Sequence, residues 1–141
     1  MTFDEFKILI KPLAVHFGAM KDPPTWRLYH AALMHPPAPT RALLERALPR
    51  AASSRRFFPS PEELRRDAEA ERQEMLKANP FTPCDRCQDS SGWVSVIDQA
   101  GHERMVRCEC FDAYRHRLAA AGVGADRLAL PPAEPQQDGL Q

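Results

Sequence analysis

The chain has 141 residues, enough for one modest domain or for two small units joined by a linker. Its 19 Lys/Arg equal its 19 Asp/Glu, so no global charge draws it to nucleic acid or to an acidic membrane surface. No run of about 18 apolar residues occurs, which argues against a membrane span, and MTFDEFKILIKPL lacks a basic leader followed by a cleavage site, so a cytoplasmic location is expected.

In chain order, TFDEFKILIKPLAVHFGAM predicts a helix. Thr2 and Glu5 have the spacing of a capping box, and Phe3, Phe6, Ile10, Leu13 and Phe17 form one apolar stripe. Pro12 is expected to kink or split this helix, and Gly18 to close it. DPPTWRLYHAALMHPP predicts a second helix, capped by Asp22 or Thr25, with Trp26, Tyr29, His30 and Leu33 on one face. PTRALLERALPR predicts a third, capped by Thr40, directing Leu43, Leu44, Ala47 and Leu48 inward and stopped by Pro49.

SPEELRRDAEAERQEMLKANP carries the clearest start signal, with Ser60 as cap, Pro61 at the first helical position and Glu63 completing a capping box. Beyond Leu64 and Ala68 its apolar stripe thins until Met75 and Leu76, which predicts a polar, partly exposed arm. After Cys110, FDAYRHRLAAAG predicts a last helix, and ADRLALPPAEPQQDGLQ has too little apolar surface to offset its ordering entropy. The expected architecture is mainly α. A small helical bundle occupies 1–58, a long polar arm helix 59–79, a zinc-ribbon β-hairpin with a following helix 80–122, and a disordered tail 123–141.

Between the arm and the last helix lies CDRCQDSSGWVSVIDQAGHERMVRCEC, which holds all four cysteines as C-x2-C and C-x-C with twenty residues between them. Two strand-like runs, WVSVI and RMVR, flank the turn residues DQAG, so a β-hairpin brings the pairs together. In a cytoplasmic chain, paired cysteines point to metal before disulfides. Cys84, Cys87, Cys108 and Cys110 are the expected ligands of one structural Zn²⁺. Four sulfurs fill the coordination shell and leave no open position for water, which argues against a catalytic metal. A thioredoxin-like pair is disfavoured because C-D-R-C lacks a βαβ context. His102 and His116 are close enough in sequence to leave a three-cysteine, one-histidine site open as an alternative.

No phosphate-binding glycine loop, dinucleotide fingerprint or metalloprotease helix is present. His16, His30 and His35 share no ligand spacing, and the Glu62-Glu63 and Glu69/Glu71 pairs read as a solvated helix face. A non-enzymatic protein is expected. Residues 1–60 carry nine Lys/Arg against four Asp/Glu, whereas 84–110 carry three against five. The cysteine segment is therefore acidic, and direct phosphate contact by it is not favoured.

The W-R-L-Y-H-A-A-L stretch (26–33) and FFPSPEELRRDAE (57–69) resemble the phage replicative-helicase loader and inhibitor family. The resemblance covers the N-terminal helical part and implies an adaptor, without a motor of its own, that binds a ring-shaped bacterial-type replicative helicase and loads or inhibits it. The cysteine ribbon departs from that family's flexible C-terminal part. On this expectation the contact surface includes Arg55, Arg56, Phe57, Phe58, Arg65 and Arg66, since aromatics flanked by arginine are frequent interface anchors. The alternative is a zinc-ribbon DNA-binding transcriptional regulator whose basic helical region supplies the phosphate contacts.

Overall fold

The computed structural model describes residues 1–19, 22–88 and 92–124. Among the described residues, five helices and one two-stranded antiparallel hairpin give a mainly helical architecture. The chain divides into two compact units, one formed by Met1–Asn79 with Ala121–Val123 and the other by Pro80–Ala120 with Gly124.

The first unit contains α1 (Phe3–His16), α2 (Pro23–Leu33), α3 (Arg41–Ser54) and α4 (Pro61–Ala78). Side chains satisfy the orphan N–H groups at all four helix starts. The Glu5 amide donates to Thr2 Oγ1 at 3.2 Å while Glu5 Oε2 accepts from the Thr2 amide at 2.7 Å. Ser60 and Glu63 repeat the device at 2.7 and 3.2 Å. Asp22, rather than Thr25, caps α2, and Thr40 caps α3. Each such cap is worth on the order of 1 kcal/mol. Phe6, Ile10 and Leu13 from α1, Trp26, Tyr29 and Leu33 from α2, and Leu43, Leu44 and Ala47 from α3 form the buried core. The buried Tyr29 hydroxyl donates to the Pro59 carbonyl at 2.8 Å. Burial, ahead of the nearby Glu63 charge, pushes its pKa up.

Three expectations need correction. Pro12 does not split α1, which runs unbroken from Phe3 to His16, and Pro49 does not stop α3, which runs on to Ser54. A helix-interior proline removes one hydrogen bond. Here the turn beyond each proline is held by burial, Leu13 and Ala14 in α1 and Ala51 in α3. The polar fourth helix is also more than an exposed arm. Leu64, Ala68, Arg72 and Met75 form a buried stripe, and α4 packs on both α3 and α2. One of its acidic side chains reaches α3: Glu71 pairs with Arg50 at 3.1 Å and with Arg46 at 3.7 Å.

The second unit contains β1 (Trp93–Ile97), β2 (Glu103–Arg107) and α5 (Glu109–Ala120). Trp93 stands opposite Arg107 and Ile97 opposite Glu103. The hairpin turn is chemically determined. The Gly101 amide donates to the Asp98 carbonyl at 3.0 Å, Gly101 takes φ +83°, and the Asp98 amide closes on the His102 carbonyl at 2.9 Å. This is a tight turn followed by a left-handed residue, which matches the twist of the strands. The Asp98 carboxylate accepts the Ala100 and His102 amides and pairs with Arg104, and these bonds hold its pKa below the usual carboxylate value, the His102 amide first among them. After α5 the chain turns at Gly122, φ +82°, and Val123 is fully buried. The expected disordered tail, 123–141, lies outside the described residues from 125 onward.

Candidate metal centre

Three local structures bring the four sulfurs together. Cys84 and Cys87 sit on a turn in which the Gln88 amide donates to the Cys84 carbonyl at 2.9 Å. Cys108 follows the last residue of β2, and its amide donates to the Gly92 carbonyl at 2.8 Å, so the start of β1 is tied to the second cysteine pair. The Cys108 carbonyl accepts the Phe111 amide at 2.9 Å, which opens α5 and places Cys110 in its first turn. Cys87 and Cys108 are buried, while Cys84 and Cys110 are half-buried. Val94 shares their small apolar cluster, with Phe81 and Val96 packed against it.

None of the four cysteines is in a disulfide. The sulfurs of Cys84 and Cys108 are 3.5 Å apart, those of Cys87 and Cys110 3.5 Å, and those of Cys84 and Cys87 3.8 Å. All four lie within 4.8 Å of one another. Sulfurs bound tetrahedrally at about 2.3 Å from a zinc ion stand about 3.8 Å apart, so the cluster is the size and shape of such a site. The four cysteines can hold a metal ion, and the geometry is compatible with zinc. Electrostatics favours an anionic sulfur at one corner in particular. The backbone N–H of Cys87, then that of Arg86, point at Cys84 and lower its thiol to about 6, whereas burial pushes Cys110 up to about 12.

Neither histidine belongs to the cluster. The side chain of His102 is 79% exposed at the hairpin tip, where its Nδ1 lies 3.8 Å from Asp98, and His116 is exposed on α5. The ribbon's other packing is aromatic. Phe81, Phe111 and Tyr114 form a cluster with centroids 5.2–6.1 Å apart, and the Arg107 guanidinium lies over both Trp93 and Phe111. Gly92 completes the centre. At φ +69°, a Cβ there would stand 2.9 Å from three atoms of Phe111.

The six residues expected at a partner surface divide. Arg55 is committed inside the unit: its guanidinium makes two hydrogen bonds to Asp67, and its Nε lies 3.5 Å from Glu63. Phe58 closes the bundle, with ring centroids 6.2, 5.5 and 5.6 Å from Phe17, Trp26 and Tyr29. Phe57 is 81% exposed, Arg56 and Arg66 are exposed, and Arg65 is half-buried. Sequence reasoning missed an apolar groove in the helical unit between α1 and α3. Its sequence signal is partial: Leu13 and Leu48 belong to the expected inward stripes, and Leu9, Pro12, Pro49 and Ala52 widen them to one side.

No protein-family model, curated protein or solved structure matches this chain. Among the described residues, no helix is long and apolar enough to cross a membrane.

Proposed function

We propose that the protein is a non-enzymatic adaptor of DNA replication that binds a ring-shaped, bacterial-type replicative helicase and loads or inhibits it. The four-cysteine centre holds one structural Zn²⁺. The observation that carries the adaptor reading is the Phe57 ring. It stands in solvent on a backbone fixed on both sides, by the Arg55–Asp67 pair before it and by Phe58 and buried Pro59 after it. An exposed aromatic on a rigid segment loses little entropy on docking, which suits an interface anchor. The segment falls within FFPSPEELRRDAE, which carries the resemblance to the helicase loaders and inhibitors.

The zinc assignment rests on the all-sulfur donor set and on the match between the sulfur spacings and a tetrahedral zinc shell. Bound there, zinc supplies folding energy to a unit whose apolar core is small. The chain's own groups shape the corner: the Cys87 and Arg86 amides stabilise charge on Cys84, and the Gly92–Cys108 hydrogen bond keeps the two cysteine pairs together.

The test is capture of the source organism's replicative helicase by the tagged full chain, together with metal analysis. One zinc per chain and helicase retention, reduced at least about tenfold by Phe57→Ala, are expected. Helicase passing unretained would remove the adaptor reading. Tight binding to DNA alone, falling steeply with salt, would replace it with the DNA-binding regulator.

A further inference from the structure

The outer edge of the hairpin is an open hydrogen-bonding surface. In an antiparallel pair, residues whose N–H and C=O groups face the partner strand alternate with residues whose groups face away. The Cys108 amide donates to the Gly92 carbonyl, and the Asp98 amide donates to the His102 carbonyl. Counting by twos between these points, Val94–Val106 and Val96–Arg104 are also inward-facing pairs. The backbone groups of Glu103, Met105 and Arg107 therefore point away from β1. Among the described residues, no other strand or loop hydrogen-bonds to them. β2 is exposed from Glu103 to Val106, Met105 to 52%. It carries no proline, lysine or bulge, the devices that commonly close an edge, and its register runs unbroken from Glu103 to Arg107. An edge of this kind is a template for a further strand.

The sequence of the edge selects the strand that fits it. E-R-M-V-R places Glu103 and Arg107 symmetrically, two residues either side of Met105. Laid antiparallel on a second copy and centred on Met105, β2 sets Glu103 opposite Arg107, Met105 opposite Met105 and Arg107 opposite Glu103. All three positions have outward-facing backbone groups, so the edge closes with about six hydrogen bonds. Opposite charges directly across a ladder attract, and like charges repel. Centring on Glu103, Arg104 or Arg107 instead puts like charges face to face, and centring on Val106 carries Glu103 past the end of the strand to Glu109. Among the described residues, neither Glu103 nor Arg107 forms an ion pair within the chain. Glu103 accepts a hydrogen bond from the Ser95 hydroxyl, and the Arg107 guanidinium lies over the Trp93 and Phe111 rings. A guanidinium face on an aromatic ring leaves its in-plane N–H groups able to meet a carboxylate.

We infer that β2 pairs edge to edge with β2 of a second copy of this chain, antiparallel and centred on Met105, giving a symmetric dimer with one continuous four-stranded sheet. A two-fold axis at Met105 makes the interface isologous, so each Glu103–Arg107 contact occurs twice. The occupant is a second copy because the edge is complementary to itself in charge, in length and in the direction of its backbone groups. The cysteine cluster packs on Val94 and Val96 of β1, so the pairing does not require the metal ligands to move. The inference is independent of the adaptor reading and adds to it an interaction surface in the second unit.

The test uses the full chain, purified with its metal, in analytical ultracentrifugation. A short edge is a small interface, so a reversible monomer–dimer equilibrium is expected between about 5 and 500 µM. In hydrogen exchange, the amides of Glu103, Met105 and Arg107 should gain protection as concentration rises, while those of Arg104 and Val106, already paired to β1, should not change. Met105→Pro removes an outward N–H without touching the β1 ladder and should abolish the dimer. Because a proline can disturb the hairpin, Met105→Lys and Met105→Glu, at the same exposed position, complete the test. Each places like charges on the two-fold axis and should weaken the dimer at least about fivefold, whereas an equimolar mixture of the two should restore it. A chain that stays monomeric up to about 500 µM would overturn the inference. A dimer indifferent to Met105→Lys, or a mixture no tighter than either variant alone, would overturn it in favour of another face or register. Protection of Glu103, Met105 and Arg107 that appears only on adding helicase, with the chain itself monomeric, would overturn it in favour of a strand of that partner.

Discussion

Gly92 and Gly101 share a left-handed backbone, φ +69° and +83°, but differ in the space around them. An alanine at Gly101 meets nothing within 4 Å, whereas one at Gly92 meets three Phe111 atoms at 2.9 Å. Forcing a Cβ into this conformation costs about 1–2 kcal/mol. Phe111 is 2% exposed and cannot swing out without opening the aromatic cluster, so the overlap adds about 1–3 kcal/mol. Gly101→Ala should cost about 1–2 kcal/mol and Gly92→Ala about 2–5. Metal binding and ribbon folding are linked, so these losses appear as weaker metal affinity: about 5- to 30-fold for Gly101→Ala, and about 30-fold to several thousandfold for Gly92→Ala. Competition with a chromophoric chelator at fixed pH reads both. Equal effects of the two substitutions would refute the Phe111 argument. A Gly92→Ala protein within about threefold of wild type would refute the link between this turn and the metal centre.

Removing the metal with a strong chelator should abolish hydrogen-exchange protection across Trp93–Arg107 while the amides of α1, α3 and α4 stay protected, because all four cysteines lie in the second unit; a single cooperative loss across the chain would contradict this. Acid should weaken the start of α4. The Ser60 amide, then its hydroxyl, hold the Glu63 carboxyl below its usual value, so the stabilisation is present above the unfolded-state pKa and is lost as pH falls through the lower folded one; Glu63→Gln, which removes the titrating group, should flatten that part of the pH–stability curve. Phe58→Ala, which removes three ring contacts, should destabilise the helical unit by about 2–4 kcal/mol in urea unfolding, whereas Phe57→Ala should change it by less than about 0.5. Equal effects would mean that Phe57 is not free to anchor a partner.

Local chemistry was legible in the sequence. Thr2/Glu5 and Ser60/Glu63 capped where their spacing put them, and C-x2-C with C-x-C across a DQAG turn closed into one cluster. Features that depend on a second element were harder to read. Pro12 looked like a break and Pro49 like a stop because the burial of Ala14 and Ala51 beyond them comes from other helices. The fourth helix looked like an arm because its stripe runs through two small or charged positions, Ala68 and Arg72, and no apolar count registers a buried arginine. The groove required pairing the margins of two stripes from segments 36 residues apart, which no single helix announces.

Charge pairing within and between helices bears on the two proposed functional readings. Read linearly, the surplus of cations in residues 1–60 is a candidate phosphate-binding surface. Folded, much of it is spoken for. Glu71 takes Arg46 and Arg50, Asp67 and Glu63 take Arg55, Glu45 takes Arg41, and Asp4 takes Lys7. A cation already held by a carboxylate contributes little counterion release when DNA approaches. Lys11, Arg27, Arg56 and Arg66 are exposed among the described residues and take no part in these pairs, enough for about four phosphate contacts and a salt slope near about −4. Arg56, exposed next to Phe57 in the chain, is a charge that on the adaptor proposal would help orient the aromatic anchor on an acidic protein surface. The salt dependence of any DNA binding therefore separates the proposed adaptor from the proposed DNA-binding regulator: a steep slope would favour the regulator.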